Sequence, residues 1–396
     1  MAATGRADAG RQWAALILLW LAGNALRLTI LAVPPVIASI RDEFGLNATA
    51  VGLLGSIAPA LFAVAALAGS LIVARLGVRV ALVGGLALVA VGSALRGLSG
   101  NFAVLLATTI VMSIGVAIMQ PIMPTAVRQW LPEKIALATA VYTNGLLAGE
   151  VFPVLLTIPV VLPLVGGSWR ASLVVWSLVV ALIALVVCAC APRSAHDPTS
   201  DGARLQRWIP DWRSGLVWRL GLMFCCVNAI YFGTNTFLPI YLKSAGRPDL
   251  IGGALTALNF GQIPASLLLL MVARRFERKA WLYVASGMLS LICVAGLVLQ
   301  VGPATIVWAA LLGFSDAGAL IVGLTLPPLL CRAEDVARTA AGAFTISYGG
   351  AFAIAVASGA AWDLSAIPAL AFAPVALCAL GLMVIPGLMR AKHELR

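Results

Sequence analysis

Twelve apolar runs, each of about the length of a membrane-spanning helix, constrain the fold of this chain more than any other feature. A helix needs about 20 apolar residues to cross the hydrocarbon core of a bilayer, whereas the strands of membrane barrels alternate over about ten. The runs form two groups of six, at 13–40, 50–73, 80–98, 102–127, 135–163 and 171–191, then at 216–242, 250–273, 280–300, 304–331, 336–361 and 366–389. The sequence therefore predicts an all-α integral membrane protein with twelve transmembrane helices.

The placement of the charges predicts how these helices are oriented. Only 10% of the residues are charged, against about 25% in a soluble protein. The net charge of +11 does not indicate nucleic-acid binding, because twenty Lys and Arg side chains fall on one side of the predicted helices and five on the other, namely Arg41, Arg96, Arg170, Lys243 and Arg247. Cytoplasmic loops carry that excess. We expect both termini in the cytoplasm and, since the loops are short, a multi-pass protein of a bacterial inner membrane.

The chain is expected to consist of two related halves. The one long hydrophilic stretch, 192–215, predicts a cytoplasmic linker between a bundle at 1–191 and a bundle at 216–396. Three motifs recur in both halves at offsets of 204, 200 and 204 residues: Asn24-x-x-Arg27 with Asn228-x-x-Tyr231, Arg75-x-x-x-Arg79 with Arg275-x-x-x-Lys279, and Pro124 with Arg128 and Pro328 with Arg332. Duplicated six-helix halves are typical of transporters.

The loop after the second run, Arg75-Leu76-Gly77-Val78-Arg79, resembles the Gly-x-x-x-Asp-Arg-x-Gly-x-Arg loop of the major facilitator superfamily, with Ser70 and Ala74 in place of the glycine and aspartate. Within it, the chain is similar to the cyanate and 2-nitroimidazole transporter group. That likeness rests on Asn24 to Arg27, Pro34-Pro35, Phe44-Gly45-Leu46, Pro124, Arg128, Trp130, Pro132, Trp169-Arg170, Leu238-Pro239 and Ala245-Gly246. The resemblance implies two pseudo-symmetric six-helix bundles and a gating loop made of Arg75, Gly77, Arg79, Arg275 and Lys279.

Three ionisable residues lie deep inside the runs, far from either end, namely Arg27, Glu150 and Asp316. Each is sixteen residues from the nearest cytoplasmic cation of its own helix, which places it about 24 Å above that cation at 1.5 Å per residue. In a core about 30 Å thick, all three would share one level near the midplane. One cavity holding all three is the simplest arrangement.

Arg27 has two interpretations. A charge at the bilayer centre costs about 2.5–3.5 kcal/mol on insertion scales, so its guanidinium needs a partner. The first interpretation is a structural salt bridge with Glu150. The second, which we favour, is an anion-binding site, because the guanidinium fork matches planar carboxylate-like groups. The two roles can alternate, with Glu150 holding Arg27 when the site is empty.

The two carboxylates are candidates for proton coupling. Glu150 could exchange a proton in a manner that depends on Arg27, could form a static ion pair, or could contact a cationic group of the substrate. Asp316 carries the same alternatives. Uncharged polar residues in membrane helices usually join helices together. In this superfamily, Asn24, Tyr231 and Asn235 would line the central cavity, and Asn228, Gln120 and Tyr348 complete the candidate substrate contacts.

These features predict a secondary transporter for a small anionic or polarised planar solute, working by alternating access and coupled to protons. The same-class alternative is a proton-linked exporter of a cationic or amphipathic compound that uses Glu150 and Asp316. A membrane-embedded enzyme or receptor is disfavoured, because the sequence has no metal, nucleophile or nucleotide motif. We expect no cofactor, no metal, no nucleic-acid partner and a monomer in the lipid bilayer.

Overall fold

The computed structural model describes residues 2–192, 210–276, 279–332 and 335–391; within these ranges it leaves the side chains of 2–11, 65–76, 121, 136, 270–276, 328, 337 and 390–391 undescribed. Most of the predicted linker therefore lies outside the described residues. The described residues form no β-strand. The helices are α1 (Ala2–Leu31), α2 (Ile37–Phe44), α3 (Ala48–Gly97), α4 (Phe102–Trp130), α5 (Ile135–Leu156), α6 (Leu162–Leu164), α7 (Trp169–Cys190), α8 (Gly215–Ser244), α9 (Ile251–Phe260), α10 (Gln262–Phe276), α11 (Ala280–Leu299), α12 (Ala304–Gly323), α13 (Leu326–Leu330), α14 (Val336–Ser365) and α15 (Ala373–Ala391).

All twelve predicted runs are helical. Within the described ranges, ten helices are long and apolar enough to cross a membrane. The run at 50–73 forms the first part of α3, and the run at 250–273 forms α9 and α10, which meet at Gly261. The predicted all-α membrane fold is confirmed.

Gly77 interrupts α3 and separates the second predicted span from the third. Its backbone dihedrals are φ 75° and ψ 160°, which lie in a region that side-chain-bearing residues rarely adopt. The glycine of the predicted gating loop is therefore required by the sharp change of chain direction between the second and third spans.

Helix α1 ends early, and a buried arginine completes its last turn. After Leu31 the chain passes through a 3₁₀ turn, Pro34–Val36, before α2 begins. The Val33 amide bonds to the Ile30 carbonyl (3.3 Å), and the Thr29 carbonyl accepts a hydrogen bond from Arg96 Nη2 at 2.7 Å. Arg96, which sequence analysis counted as an outer-side cation, has 0% exposure. The last carbonyls of a helix lack intrahelical donors and carry the negative end of the helix dipole. The Thr29 carbonyl therefore gives the buried guanidinium an acceptor.

The contacts divide the chain into two compact units: the first contains 1–33 and 64–205, and the second contains 34–63 and 206–396. In the first unit, α1 packs most extensively against α5, and in the second, α8 packs most extensively against α14. The grouping of 34–63 with the second unit has no counterpart in the sequence analysis. The boundaries 1–191 and 216–396 for two bundles stay a prediction.

Candidate functional site

Two glycines of α5 bring its backbone against α1 in the first unit. A Cβ atom added to Gly145 would lie 3.0 Å from the Trp20 carbonyl carbon, and one added to Gly149 would lie 3.0 Å from the Asn24 carbonyl carbon. No larger side chain fits at this separation, and small residues are what allow helices to approach closely in membranes. The close approach places the side chain of Glu150, next to Gly149, beside the polar face of α1.

Arg27 and Glu150 form an ion pair across this contact. Arg27 Nε lies 3.2 Å from Glu150 Oε1, and their side chains are only 12% and 10% exposed. The salt bridge that sequence analysis gave as the structural alternative for Arg27 is therefore present. Because both charges lie inside spanning segments, neither is solvated as a surface pair would be, and each depends on the other for compensation.

Asn24 lies one turn before Arg27 on α1 and is 3% exposed. Its side-chain nitrogen Nδ2 donates to no group among the described residues. A buried amide donor without an acceptor costs about 1–3 kcal/mol. Asn24 therefore offers an unused donor beside the Arg27–Glu150 pair.

A second polar contact between α1 and α5 involves two residues outside the predicted site. The indole Nε1 of Trp20 donates to Asn144 Oδ1 at 2.9 Å. Trp20, Asn24 and Arg27 are spaced four and three residues apart and so share one face of α1. That spacing was the signal in the sequence, but an apolar residue in an apolar run gave no reason to single out Trp20.

In the second unit, Tyr231 and Asn235 belong to a buried network centred on Asn259. The Tyr231 hydroxyl donates to Asn259 Oδ1 (2.7 Å), Asn259 Nδ2 donates to Asn235 Oδ1 (2.9 Å), and Asn235 Nδ2 donates to the Tyr231 carbonyl (3.0 Å). These bonds join α8 to α9. A ligand that contacts Tyr231 or Asn235 has to exchange bonds with this network.

The other polar candidates have diverse surroundings. Asn228 Nδ2 donates to Ser347 Oγ (2.9 Å) and to the Phe224 carbonyl (3.1 Å). The Tyr348 ring meets the Phe62 ring edge-on at 5.4 Å and stacks on the Phe344 ring at 6.0 Å. Gln120 is half-buried on α4 and Asp316 is buried on α12.

The predicted gating loops are described only in part. Arg79 Nη2 donates to the Cys188 carbonyl at the end of α7. Lys279 lies immediately before α11 and is half-buried. The side chains of Arg75 and Arg275 lie outside the described residues.

A hydrogen-bonded contact that sequence analysis did not anticipate lies at one end of α14, within the second unit. The Asp363 carboxylate accepts hydrogen bonds from the Ala48 amide (2.8 Å), the Thr49 amide (2.8 Å) and the Thr49 hydroxyl (2.6 Å). It thus caps the N-terminus of α3, where unpaired amides and the helix dipole favour an anion. Close by, the Arg41 guanidinium lies 4.6 Å from the Trp362 ring, and Lys243 pairs with Asp42.

Comparisons with known proteins relate this chain to a family of transporters. The sequence model of the Major Facilitator Superfamily matches residues 16–360. The chain is 26% identical to the cyanate transport protein CynX of Escherichia coli (strain K12) over 380 residues, covering 93% of this chain and 95% of that protein. It is 26% identical to the 2-nitroimidazole transporter of the same organism over 321 residues, covering 80% and 79%. In fold it is similar to the crystal structure of the nucleoside transporter NupG, with a TM-score of 0.76, 12% identity and coverage of 95% and 99%.

Proposed function

The chain belongs to the major facilitator superfamily, and on that premise we propose that it is a proton-coupled secondary transporter of a small anionic or polarised planar solute. The relatives named for cyanate and for 2-nitroimidazole support this substrate class. The proposed setting is a bacterial inner membrane with both termini in the cytoplasm. The proposed working unit is a monomer built of bundles at 1–191 and 216–396.

The observation that carries the proposal is the ion pair between Arg27 and Glu150 on adjoining helices. A guanidinium whose partner is a carboxylate from the protein can exchange that partner for a carboxylate-like group of a substrate. The planar fork of the guanidinium offers the same donors to either group. In the empty site Glu150 holds Arg27, and in the loaded site the substrate anion does.

Proton coupling follows from the same exchange. When a substrate anion takes Arg27, the displaced Glu150 carboxylate is left in the membrane interior without its cation. It then takes up a proton, because a buried charge without a partner is costly. One anion and one proton therefore enter the site together. Asp316 is a second proposed coupling residue, and Asn24, Tyr231, Asn235, Asn228, Gln120 and Tyr348 are proposed to assist in binding.

Alternating access requires contacts that close one end of the transporter and can be released. We assign closure of the outer end to the cap formed by Asp363 on Ala48 and Thr49, with the Lys243–Asp42 pair beside it. The proposed inner gate is the loop with Arg75, Gly77 and Arg79 together with Arg275 and Lys279.

The test is binding of benzoate and of cyanate to the purified protein, measured by calorimetry for the parent and for Arg27→Ala and Arg27→Lys. Loss of a charge-assisted hydrogen bond costs about 1.5–3 kcal/mol, so we expect Arg27→Ala to bind roughly 10- to 160-fold more weakly. Arg27→Lys keeps the charge but loses the fork, and its loss should be smaller. Arg247→Ala, which removes an arginine paired with Asp249 in an exposed loop, is the matched control.

Unchanged binding in Arg27→Ala would remove the anion site. Binding of lipophilic cations instead of anions by the parent protein would favour the exporter that uses Glu150 and Asp316.

A further inference from the structure

We propose that Trp20 and Asn144 make the site selective for a planar aromatic anion, with Trp20 supplying a stacking face and Asn144 an amide donor. This inference rests on the proposed anion site at Arg27 and narrows its substrate class. Both residues belong to the first unit. Neither is among the candidates that the sequence pattern indicated.

The first step is that α1 has one accessible stripe. Trp13 and Ile17 are 67% and 56% exposed, Trp20 is half-buried, and the Arg27 side chain is 12% exposed. Their spacing of four, three and seven residues puts them on one face of the helix. The side chains on this face are therefore more accessible at Trp13 and Ile17 than at Asn24 and Arg27, which lie deeper along the helix.

The second step is that this stripe does not face lipid at the level of Trp20. The side chain bonded to the indole is that of Asn144, which is exposed on α5 and lies inside the spanning segment Leu137–Leu164. Polar side chains inside membrane segments face water-filled or protein-lined space, because contact with hydrocarbon is expensive. The face that Trp20 and Asn144 share is thus open to solutes.

The third step is that the indole plane is held in place. Its Nε1 donates to Asn144 Oδ1 at 2.9 Å, and the Phe152 ring meets it edge-on with centroids 6.4 Å apart and an interplanar angle of 65°. With its N–H group engaged, Trp20 offers a ligand only its π face. Aromatic rings bind such faces by offset or edge-on stacking.

The fourth step is that unused donors flank this face. Asn24 Nδ2 is buried and has no acceptor among the described residues. Asn144 uses its oxygen for Trp20, and its two N–H groups remain to bond acceptor atoms of a ligand. Because buried amide donors are nearly always paired in folded proteins, we infer that an acceptor atom of the ligand binds Asn24 Nδ2.

The dimensions fit one ring. Trp20 and Arg27 are seven residues apart, or about 10 Å along the helix axis, and their side chains lie on the same face. A planar aromatic anion uses all four groups. Its ring stacks on the Trp20 indole, its carboxylate binds the Arg27 guanidinium, and its other acceptor atoms bind the amides of Asn24 and Asn144. A linear triatomic anion would use Arg27 alone.

The experiment compares benzoate with cyclohexanecarboxylate, two anions of equal charge and similar size of which only the first is planar. Dissociation constants are measured by calorimetry for the parent, Trp20→Leu, Trp20→Phe and Asn144→Ala, with Trp281→Leu, an exposed tryptophan of α11, as the matched control. We expect the parent and the control to prefer benzoate by about 2- to 13-fold, the range of one aromatic contact. Trp20→Leu should abolish the preference while leaving cyclohexanecarboxylate unaffected, Trp20→Phe should keep most of it, and Asn144→Ala should reduce it.

Three results would overturn the inference: no preference in the parent, a preference that survives in Trp20→Leu, or equal losses for both anions in that variant, which would mark a purely structural role. The proposed function fails separately, when Arg27→Ala binds both anions as the parent does.

Discussion

Replacing Glu150 by glutamine should uncouple anion binding from pH. In the parent protein, an anion that binds while Glu150 is ionised must displace a carboxylate that lies 3.2 Å from the Arg27 guanidinium and is 10% exposed. The carboxylate then remains in the membrane interior without its cation, at about 2.5–3.5 kcal/mol on insertion scales. Glutamine carries no charge, so binding to the variant avoids this penalty at every pH.

The penalty sets the size of the effect. At 1.36 kcal/mol per factor of ten, the affinity of the parent for benzoate should fall by about 70- to 400-fold between the pH at which Glu150 is protonated and the pH at which it is ionised. In between, the dissociation constant should rise about tenfold per pH unit, since one proton is linked to one anion. In Glu150→Gln the dissociation constant should be flat and equal to the low-pH value of the parent.

Calorimetric titration of benzoate across a pH range in which benzoate stays ionised measures the slope in the parent and its absence in Glu150→Gln. Glu150→Asp keeps a carboxylate and should keep the slope, and Glu133→Gln, an exposed residue of the turn before α5, is the matched control. In proteoliposomes, Glu150→Gln should lose proton-driven accumulation while still exchanging substrate across the membrane. A slope that persists in Glu150→Gln would refute the reasoning and move the coupling to another group, with Asp316 the first to test.

Two further changes test the packing and the gate. Gly149→Ala places a methyl group against the Asn24 carbonyl, so we expect about 1–3 kcal/mol of destabilisation, measured as a lower melting temperature together with weaker benzoate binding. The control is Gly318→Ala, where nothing lies within 4 Å of the added atom, and it should leave both quantities unchanged. Equal behaviour of the two variants would contradict the close α1–α5 contact. Asp363→Asn weakens the cap on Ala48 and Thr49, and loss of a helix cap costs about 1 kcal/mol of stability. Hydrogen–deuterium exchange of these two amides should therefore accelerate about fivefold. Unchanged exchange would argue against the cap as a closing contact.

Periodicity and charge placement were sufficient to predict the helices. Runs of about 20 apolar residues have few alternatives in a bilayer, because every backbone amide must be bonded within its own segment. The same logic identified Arg27 and Glu150, since a charge within such a run needs a partner. Whether these two side chains would meet, and at what distance, depended on Gly145 and Gly149, whose role is visible only when α1 lies against α5.

Other features lay beyond the sequence for physical reasons. Trp20 is apolar, and hydropathy does not distinguish an indole that faces a passage from one that faces lipid. The cap of Asp363 on Ala48 joins residues 315 positions apart, and no local pattern encodes such a pair. Arg96 was counted among the outer-side cations because it lies near the end of an apolar run, but it turns inward to the Thr29 carbonyl.

After the break that follows α1, the chain passes from one compact unit to the other, so different contacts hold Arg27 and the proposed outer gate. Arg27 lies in the part of α1 that belongs to the first unit, where Glu150 holds its side chain and Arg96 holds the carbonyl two residues later. Past Val33, the chain belongs to the second unit and leads to the helix that Asp363 caps. Because Pro34 has no N–H group, no intrahelical hydrogen bond from it ties the two parts together. On the proposed assignment of the cap as a gate, its release moves the segment after Val33 while Arg27 stays in place, so Asp363→Asn should change the rate of substrate exchange far more than the affinity for benzoate.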